Sequence, residues 1–183
     1  MLNVKLVPFR KQFITEEYIS WLNNKELLKY SRQQRLDHSK SSCEDYLKSF
    51  ENSSNRFWSV QDSEGEQVGT VTAFIDPLSL VADIGIMIGR FGKGFGTAAW
   101  GEAIHYLFEE LGMRKITAGT LAEHHDMISI FLRWGMVQEG LLREQEFLNG
   151  KVYDVVKYGL LKNDWLTLNA KEAKAHDNDN SRC

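Results

Sequence analysis

The spacing of apolar residues switches along the chain between the two-residue period of strands and the three-to-four-residue period of helices. The two-residue period predicts strands at 3–8, 56–61, 66–75, 81–88, 114–121, 142–147 and 152–156. The helical period predicts a helix after Thr15 and helices at 44–50, 97–111 and 126–134. Thr15, and either Ser41 or Ser42, are the expected N-caps of the first two helices.

Turn signals show how the predicted strands are connected. The segment 62–65 ends in glycine and joins two strands, and Asn149-Gly150 joins the last two, so both connections predict antiparallel hairpins. The helix at 97–111 lies between the strands at 81–88 and 114–121, and a strand–helix–strand crossover is typical of parallel neighbours. The sheet is therefore expected to be mixed.

Length and composition limit the classes of protein that need to be considered. A chain of 183 residues with 43% hydrophobic and 26% charged residues is long enough for one globular domain, which we place at 1–168. Residues 169–183 are polar and are expected to form a mobile tail. The net charge of −3 and the lack of a basic run argue against a nucleic-acid partner.

Other features of the chain concern its compartment. The sequence contains no apolar run that would span a membrane, and it opens with an alternating strand instead of a signal peptide. Its two cysteines, Cys43 and Cys183, form neither a disulfide framework nor a metal-binding spacing. We therefore expect a cytoplasmic protein that has no membrane partner and binds no metal.

The stretch from Asp83 to Gly112 contains the clearest candidate for a ligand site. It runs from a strand through the glycine-rich segment 91–96 into an amphipathic helix. Such a turn presents backbone N–H groups at the positive end of a helix dipole, which is where proteins often bind phosphate. A tight turn without a ligand would use the same glycines. The order of strand, glycines and helix favours the phosphate site.

Two well-known phosphate loops do not fit this segment. A P-loop needs Gly-Lys-Ser/Thr five residues after its first glycine, whereas Gly94-Phe95 follows Gly89 at that distance. A dinucleotide fingerprint would accept Gly92 and Gly94 but needs a third glycine where Thr97 stands. A nicotinamide-dependent oxidoreductase is therefore the weaker hypothesis.

The segment resembles the acyl-CoA loop of the GNAT superfamily of N-acetyltransferases, Gln/Arg-x-x-Gly-x-Gly/Ala at the start of a helix. Gly94 and Gly96 occupy the last two positions, and Phe91 occupies the first. An aromatic residue there resembles the branch that contains ribosomal-protein N-terminal and nucleotide-amino-sugar acetyltransferases. Gly135-Met136 and Tyr153-Asp154 also resemble segments of these proteins.

This resemblance, which covers 3–165, implies both a fold and an activity. The implied fold is α+β (mixed α/β): a central mixed, mostly antiparallel sheet flanked by helices, with one strand–glycine loop–helix–strand crossover. The implied activity is transfer of an acetyl group from acetyl-CoA to a primary amine. The implied cofactor-binding residues are Ile86, Met87, Ile88, Phe91, Gly92, Lys93, Gly94, Phe95, Gly96, Thr97, His124 and Phe131.

The resemblance also implies catalytic roles. Asp83 stands beside Ala82 where relatives have an acidic residue, and it is the expected base that removes a proton from the ammonium group of the acceptor. Many relatives have a tyrosine as the acid for the leaving thiolate, but here that position is Phe131. Ser129, Tyr153 and the adjacent His124-His125 are the alternative proton donors, and departure of the thiolate without an acid is the remaining alternative.

The resemblance places acceptor-binding residues between the first two helices, so it implies a small-molecule acceptor bound by Tyr30, Arg32 and Arg35. Segments 21–23 and 31–35 resemble the amino-sugar acetyltransferases, and arginine binds phosphate through two parallel hydrogen bonds, so a nucleotide-linked amino sugar is the preferred acceptor. A protein or peptide N-terminus is the main alternative, and a polyamine fits less well. A non-catalytic sensor that binds CoA or a nucleotide is the alternative of another class. The oligomeric state is expected to be a monomer or a homodimer.

Overall fold

The computed structural model of the chain describes residues 3–91 and 94–170. Seven strands form one sheet in the order β1-β2-β3-β4-β5-β7-β6. Neighbouring β4 and β5 run parallel, and the other neighbours are antiparallel. The strands are β1 (Lys5–Pro8), β2 (Arg56–Gln61), β3 (Gln67–Asp76), β4 (Val81–Ile88), β5 (Lys115–Leu121), β6 (Val137–Leu148) and β7 (Lys151–Leu161). The predicted fold class, with both hairpins and the parallel crossover, is confirmed.

Five helices flank this sheet: α1 (Glu16–Leu22), α2 (Lys40–Lys48), α3 (Phe95–His105), α4 (His125–Arg133) and α5 (162–170). α1 begins as predicted, because the Thr15 hydroxyl accepts a hydrogen bond of 3.1 Å from the Tyr18 N–H. The N-cap of α2 is Ser39 and not Ser41 or Ser42. Ser39 and Ser42 exchange side-chain-to-backbone hydrogen bonds in a capping box, which moves the start of the helix toward the N-terminus.

The crossover helix agrees with its predicted position and differs in its details. α3 begins two residues before the predicted 97–111 and continues as a π-helical turn, Tyr106–Glu110. The helix then stops before Gly112, whose φ of 65° is the left-handed conformation expected of a terminating glycine.

The two faces of the sheet are covered by different helices. Adjacent residues of a strand point to opposite faces, and on β2 Phe57 and Trp58 belong to separate buried clusters. Trp58 faces α3 with its π-helical turn and α4, whose large buried residues include Trp100, Phe108 and Phe131. Phe57 faces α1 and α2. The predicted crossover helix therefore lies over one face of the sheet, and the segment before β2 covers the other.

α5 follows the last strand and was not predicted from the sequence. Trp165 of this helix is buried and packs against Phe108, with 5.3 Å between ring centroids. Residues 169 and 170, which were expected to begin a mobile tail, are helical; the rest of that predicted tail lies outside the described residues. No helix within 3–91 and 94–170 is long and apolar enough to cross a bilayer.

Candidate active site

The parallel strands β4 and β5 separate after a short paired region. They pair over three residues only, from Val81↔Lys115 to Asp83↔Thr117. Beyond that point β4 pairs with β3 alone, and β5 pairs with β7 alone. Two strand edges therefore face each other across a gap in the middle of the sheet, and a peptide-like ligand can pair with such an edge.

A cavity of about 1250 Å³ includes this gap and extends to both sides of the sheet. On one side its walls are the second half of β4, the start of α3 and the exposed face of α4. On the other side they are the segment between α1 and α2 and the facing residues of β5, β6 and β7. The cavity thus has room for two reactants that approach from opposite faces and meet where the strands separate.

The N-terminus of α3 borders the first side of the cavity. Gly94 is its N-cap residue, has a φ of 74° and supplies no side-chain cap. The first backbone N–H groups of a helix have no partner within the helix, and here they belong to Phe95, Gly96 and Thr97, which line the cavity. This is the arrangement that binds pyrophosphate oxygens. Gly92 and Lys93, which were predicted to belong to the same loop, lie outside the described residues.

The start of the glycine loop is held against α1 by contacts that the sequence did not predict. The guanidinium of Arg90 donates to both carboxylate oxygens of Glu17, at 3.1 and 3.0 Å. The indole of Trp21 packs so closely on Gly89 that a Cβ at this position would overlap it. These two contacts with α1 keep the start of the loop in place before a ligand binds.

The face of α4 contributes three of the predicted site residues to the cavity. His124, Ser129 and Phe131 all line it. Burial lowers the pKa of His124, and its Nδ1 lies 3.0 Å from the hydroxyl of Thr120. His124 is therefore expected to be neutral at pH 7, when it can serve as a hydrogen-bonding partner but is a poor source of positive charge.

Asp83 lies on the opposite side of the sheet, at the last pair before the strands separate. Its Oδ2 accepts a hydrogen bond of 2.8 Å from the Thr117 hydroxyl and lies 3.9 Å from Nζ of Lys157. The side chain is about half exposed (47%) and borders the cavity. A carboxylate in this position is held in one orientation and remains accessible to an amine in the cavity.

The segment between α1 and α2 closes the second side. The ring of Tyr30 stacks on His124, with 4.4 Å between ring centroids, so this segment reaches the start of α4. The segment 32–35 forms a 3₁₀ turn that begins at Ser31, whose hydroxyl accepts from the Gln33 N–H. These contacts give the segment a defined conformation beside the cavity.

Glu146 of β6 binds both arginines of this turn. Its carboxylate, only 6% exposed, forms ion pairs with Arg32 and with Arg35, the latter at 3.0 Å. Arg35 also donates to the carbonyl oxygen of Phe147 at 2.7 Å. Arg32 and Glu146 border the cavity, and Arg35 lies behind them. No local sequence pattern predicts that Glu146 belongs to the site, because a bulge in β6 changes the direction in which its side chain points.

The cavity brings together most of the described residues that were predicted for the site. It is bordered by Asp83, Ser129, Tyr30, Arg32, His124, Phe131, 86–88, Phe91 and 94–97. Two predicted residues are not among its walls, Arg35 and Tyr153. Tyr153 packs instead with Leu121 and Val155, and Lys151 lies over its ring. This position does not favour Tyr153 as a proton donor. Within 3–91 and 94–170, no group of three potential ligands is arranged to hold a metal ion.

Comparison with known protein families and proteins gives a consistent result. Residues 3–137 match the acetyltransferase (GNAT) domain family. An uncharacterized N-acetyltransferase, p20 of Bacillus licheniformis, is 33% identical over 120 residues, which is 64% of this chain and 67% of that protein. A Bacillus subtilis (strain 168) protein provisionally described as a ribosomal N-acetyltransferase is 33% identical over 93 residues, 50% of this chain and 51% of that protein.

Among solved structures, a spermidine N-acetyltransferase from Vibrio cholerae in complex with CoA and spermine superposes with a TM-score of 0.79. It is 25% identical in sequence, and the match covers 89% of this chain and 98% of that one. This likeness therefore covers more of the chain than the family match over 3–137 does.

Proposed function

Because this chain belongs to the acetyltransferase (GNAT) family, an acyl-CoA-dependent group of N-acetyltransferases, we propose that its acceptor is a small primary amine bearing phosphate, with a nucleotide-linked amino sugar as the preferred example. The observation that supports this proposal most directly is the position of Arg32. It lies on the wall of the cavity opposite the helix N-terminus that would bind the donor.

The residues on the first side of the cavity fit acetyl-CoA. The N–H groups of 95–97 would bind its pyrophosphate, and the free edge of β4 at 86–88 would pair with its peptide-like arm. Bound acetyl-CoA supplies the acetyl group as a thioester, so the reaction forms a C–N bond, breaks the C–S bond and releases CoA thiol.

Asp83 is the proposed base of this reaction. An amine with a pKa near 10 is mostly protonated at pH 7 and must lose a proton before it can act as a nucleophile. Asp83 can take that proton directly or through a water molecule. Thr117, which donates to Oδ2, would keep the carboxylate oriented toward the cavity. Ser129 is the proposed acid, since it lies on the cavity side of α4.

The net charge of Arg32, Arg35 and Glu146, on the acceptor side of the cavity, favours some acceptors over others. Arg32 and Arg35 contribute two positive charges and Glu146 one negative charge, and Arg32 is 66% exposed. This excess of positive charge favours a phosphate-bearing amine over a polyamine. A peptide N-terminus, suggested by the ribosomal relative, has no such requirement for arginine and is the second candidate.

The test is a panel of amines assayed for acetyl-CoA-dependent release of thiol. We expect turnover with a nucleotide-linked amino sugar, and much lower kcat/KM with spermidine and with a peptide N-terminus. Efficient acetylation of the peptide alone would replace the proposed acceptor. Tight CoA binding without thiol release for any amine would favour the sensor hypothesis.

Changing Gly94 to valine is expected to weaken CoA binding at least about tenfold, because the loss of well-aligned N–H donors to a charged group has an effect of this order. A β-branched residue resists the left-handed conformation that Gly94 adopts, so the loop would change shape. Calorimetric titration with CoA measures the effect. Gly65→Val is the matched control, because Gly65 has a φ of 84° and equally open surroundings in the β2–β3 turn. Equal affinities of the two folded variants would contradict the role of the loop.

Arg32→Ala is expected to raise KM for the phosphate-bearing acceptor about tenfold or more, since it removes a charge-assisted contact. KM for acetyl-CoA should change little, because Arg32 lies on the opposite wall. Steady-state kinetics with each substrate varied in turn separates the two constants. Arg143→Ala removes a positive charge from β6 outside the cavity walls and serves as the control. A rise in KM for acetyl-CoA alone would show that Arg32 does not face the acceptor.

A further inference from the structure

From the cluster in which Arg32 and Arg35 form ion pairs with the buried carboxylate of Glu146, we infer that Glu146 is a specificity-determining residue and that its two arginine partners decide which charge the acceptor must have. The inference rests on the proposed function to the extent that this wall faces the acceptor. It goes further, because it assigns a role to a carboxylate that contacts neither donor nor reacting group in the proposed reaction.

Glu146 is the unusual member of the cluster. It is an acidic side chain with 6% exposure that borders the cavity. Buried carboxylates are rarely left unpaired, because desolvation of the charge is costly. Both arginines are far more exposed than Glu146, at 66% and 45%. The negative charge is therefore present at the wall but is masked by two cations.

Arg35 affects the wall without lining it. It is held outside the cavity wall by Glu146 and by the carbonyl oxygen of Phe147, and Gln34 beside it accepts a hydrogen bond of 2.7 Å from Asn149. These contacts fasten the 3₁₀ turn to the β6–β7 hairpin. Removal of Arg35 would thus change the net charge at the wall without removing a group that touches the acceptor.

The cluster defines a graded series of charge. Its net charge is +1 in the wild type, 0 in Arg35→Ala and −1 in Arg32→Ala/Arg35→Ala. Glu146→Gln raises it to +2, and the triple variant with Glu146→Gln returns it to 0. An exposed or half-buried charge attracts an oppositely charged ligand more strongly in a cavity than in bulk water. The unmasked Glu146 carboxylate would therefore bind an ammonium group of a polyamine.

The experiment measures spermine binding and acetylation across this series. We expect the double variant to bind spermine at least about tenfold more tightly than the wild type by calorimetry, with a lower KM and little change in KM for acetyl-CoA. The single variant Arg35→Ala should be intermediate. Glu146→Gln in the double variant should remove most of the gain and leave the spermine affinity near that of Arg35→Ala, whose cluster has the same net charge of 0, although it restores no arginine. This reversal separates a charge effect from a general loosening of the turn.

Spermine affinity that is unchanged in the double variant, or a gain that Glu146→Gln does not diminish, would overturn the inference. If the double variant folds poorly, spermine should raise its midpoint of thermal unfolding more than that of the wild type, and a smaller or equal shift would also overturn it. A wrong assignment of the acceptor gives a different result from a wrong role for Glu146. If only the acceptor is wrong, no variant acetylates the nucleotide-linked amino sugar, yet spermine binding still follows the charge series.

Discussion

Replacing Asp83 with asparagine is expected to lower kcat by about 10²–10⁴-fold, the usual contribution of a general base. The amide of asparagine has nearly the shape of the carboxylate, but it cannot accept the proton of an ammonium group. The affinity for acetyl-CoA should be nearly constant, because the helix N-terminus at 95–97 is on the other side of the sheet. Pre-steady-state or steady-state release of thiol at saturating substrates measures the loss.

The pH profile separates proton removal from positioning. The loss in Asp83→Asn should shrink as pH rises toward the pKa of the amine, because a growing fraction of the acceptor is then already deprotonated. Thr117→Val is an informative companion, since it removes the hydroxyl that donates to Asp83 and leaves the carboxylate. It should lower kcat less and without this pH dependence. A loss that is uniform with pH would assign Asp83 to orientation of the acceptor, and wild-type rates would exclude it from the mechanism.

Phe131→Ala is expected to destabilise the protein by about 3–5 kcal/mol, as is typical when a buried phenylalanine is truncated. Phe131 is 1% exposed and packs between Trp100 and Tyr158, with ring centroids 5.2 and 5.1 Å away. These partners belong to α3 and β7, so the cavity left by the ring would lie where three elements meet. For a chain of this size the midpoint of thermal unfolding should fall by about 6–20 °C.

A matched control comes from another phenylalanine. Phe147 on β6 is 62% exposed, so Phe147→Ala should change the free energy of unfolding by no more than about 0.5 kcal/mol. Urea titration of both variants gives the comparison. A loss below about 1 kcal/mol in Phe131→Ala would contradict the packing described here. Because Phe131 is buried among other aromatic rings, the fold does not require a tyrosine hydroxyl at position 131. This holds whichever group protonates the thiolate.

The amino-acid sequence by itself determined the order of elements, because local chemistry specifies them. Local patterns limit the conformation of the backbone within a few residues. These patterns are the two-residue alternation of apolar residues, the apolar stripe of the helices, Asn149-Gly150 and the glycines of the loop. For this reason the mixed sheet, its hairpins and a helix that follows the glycine loop were predicted, although α3 begins two residues before the predicted start. α5 was not predicted, because it is short and has few apolar residues. Its place in the fold is evident only from the packing of Trp165 in the core.

Only the tertiary structure decided how the site is assembled. The gap between β4 and β5 depends on which partners each strand takes after Asp83↔Thr117, and no local pattern encodes that choice. Arg35 was predicted to contact the acceptor, but it does not line the cavity, because Glu146 of β6 binds its guanidinium. Glu146 is more than a hundred residues away in sequence, so no local pattern predicts this contact. Long-range pairings of this kind arise from packing and charge in three dimensions, whereas periodicity and turn chemistry act only between neighbours in the chain.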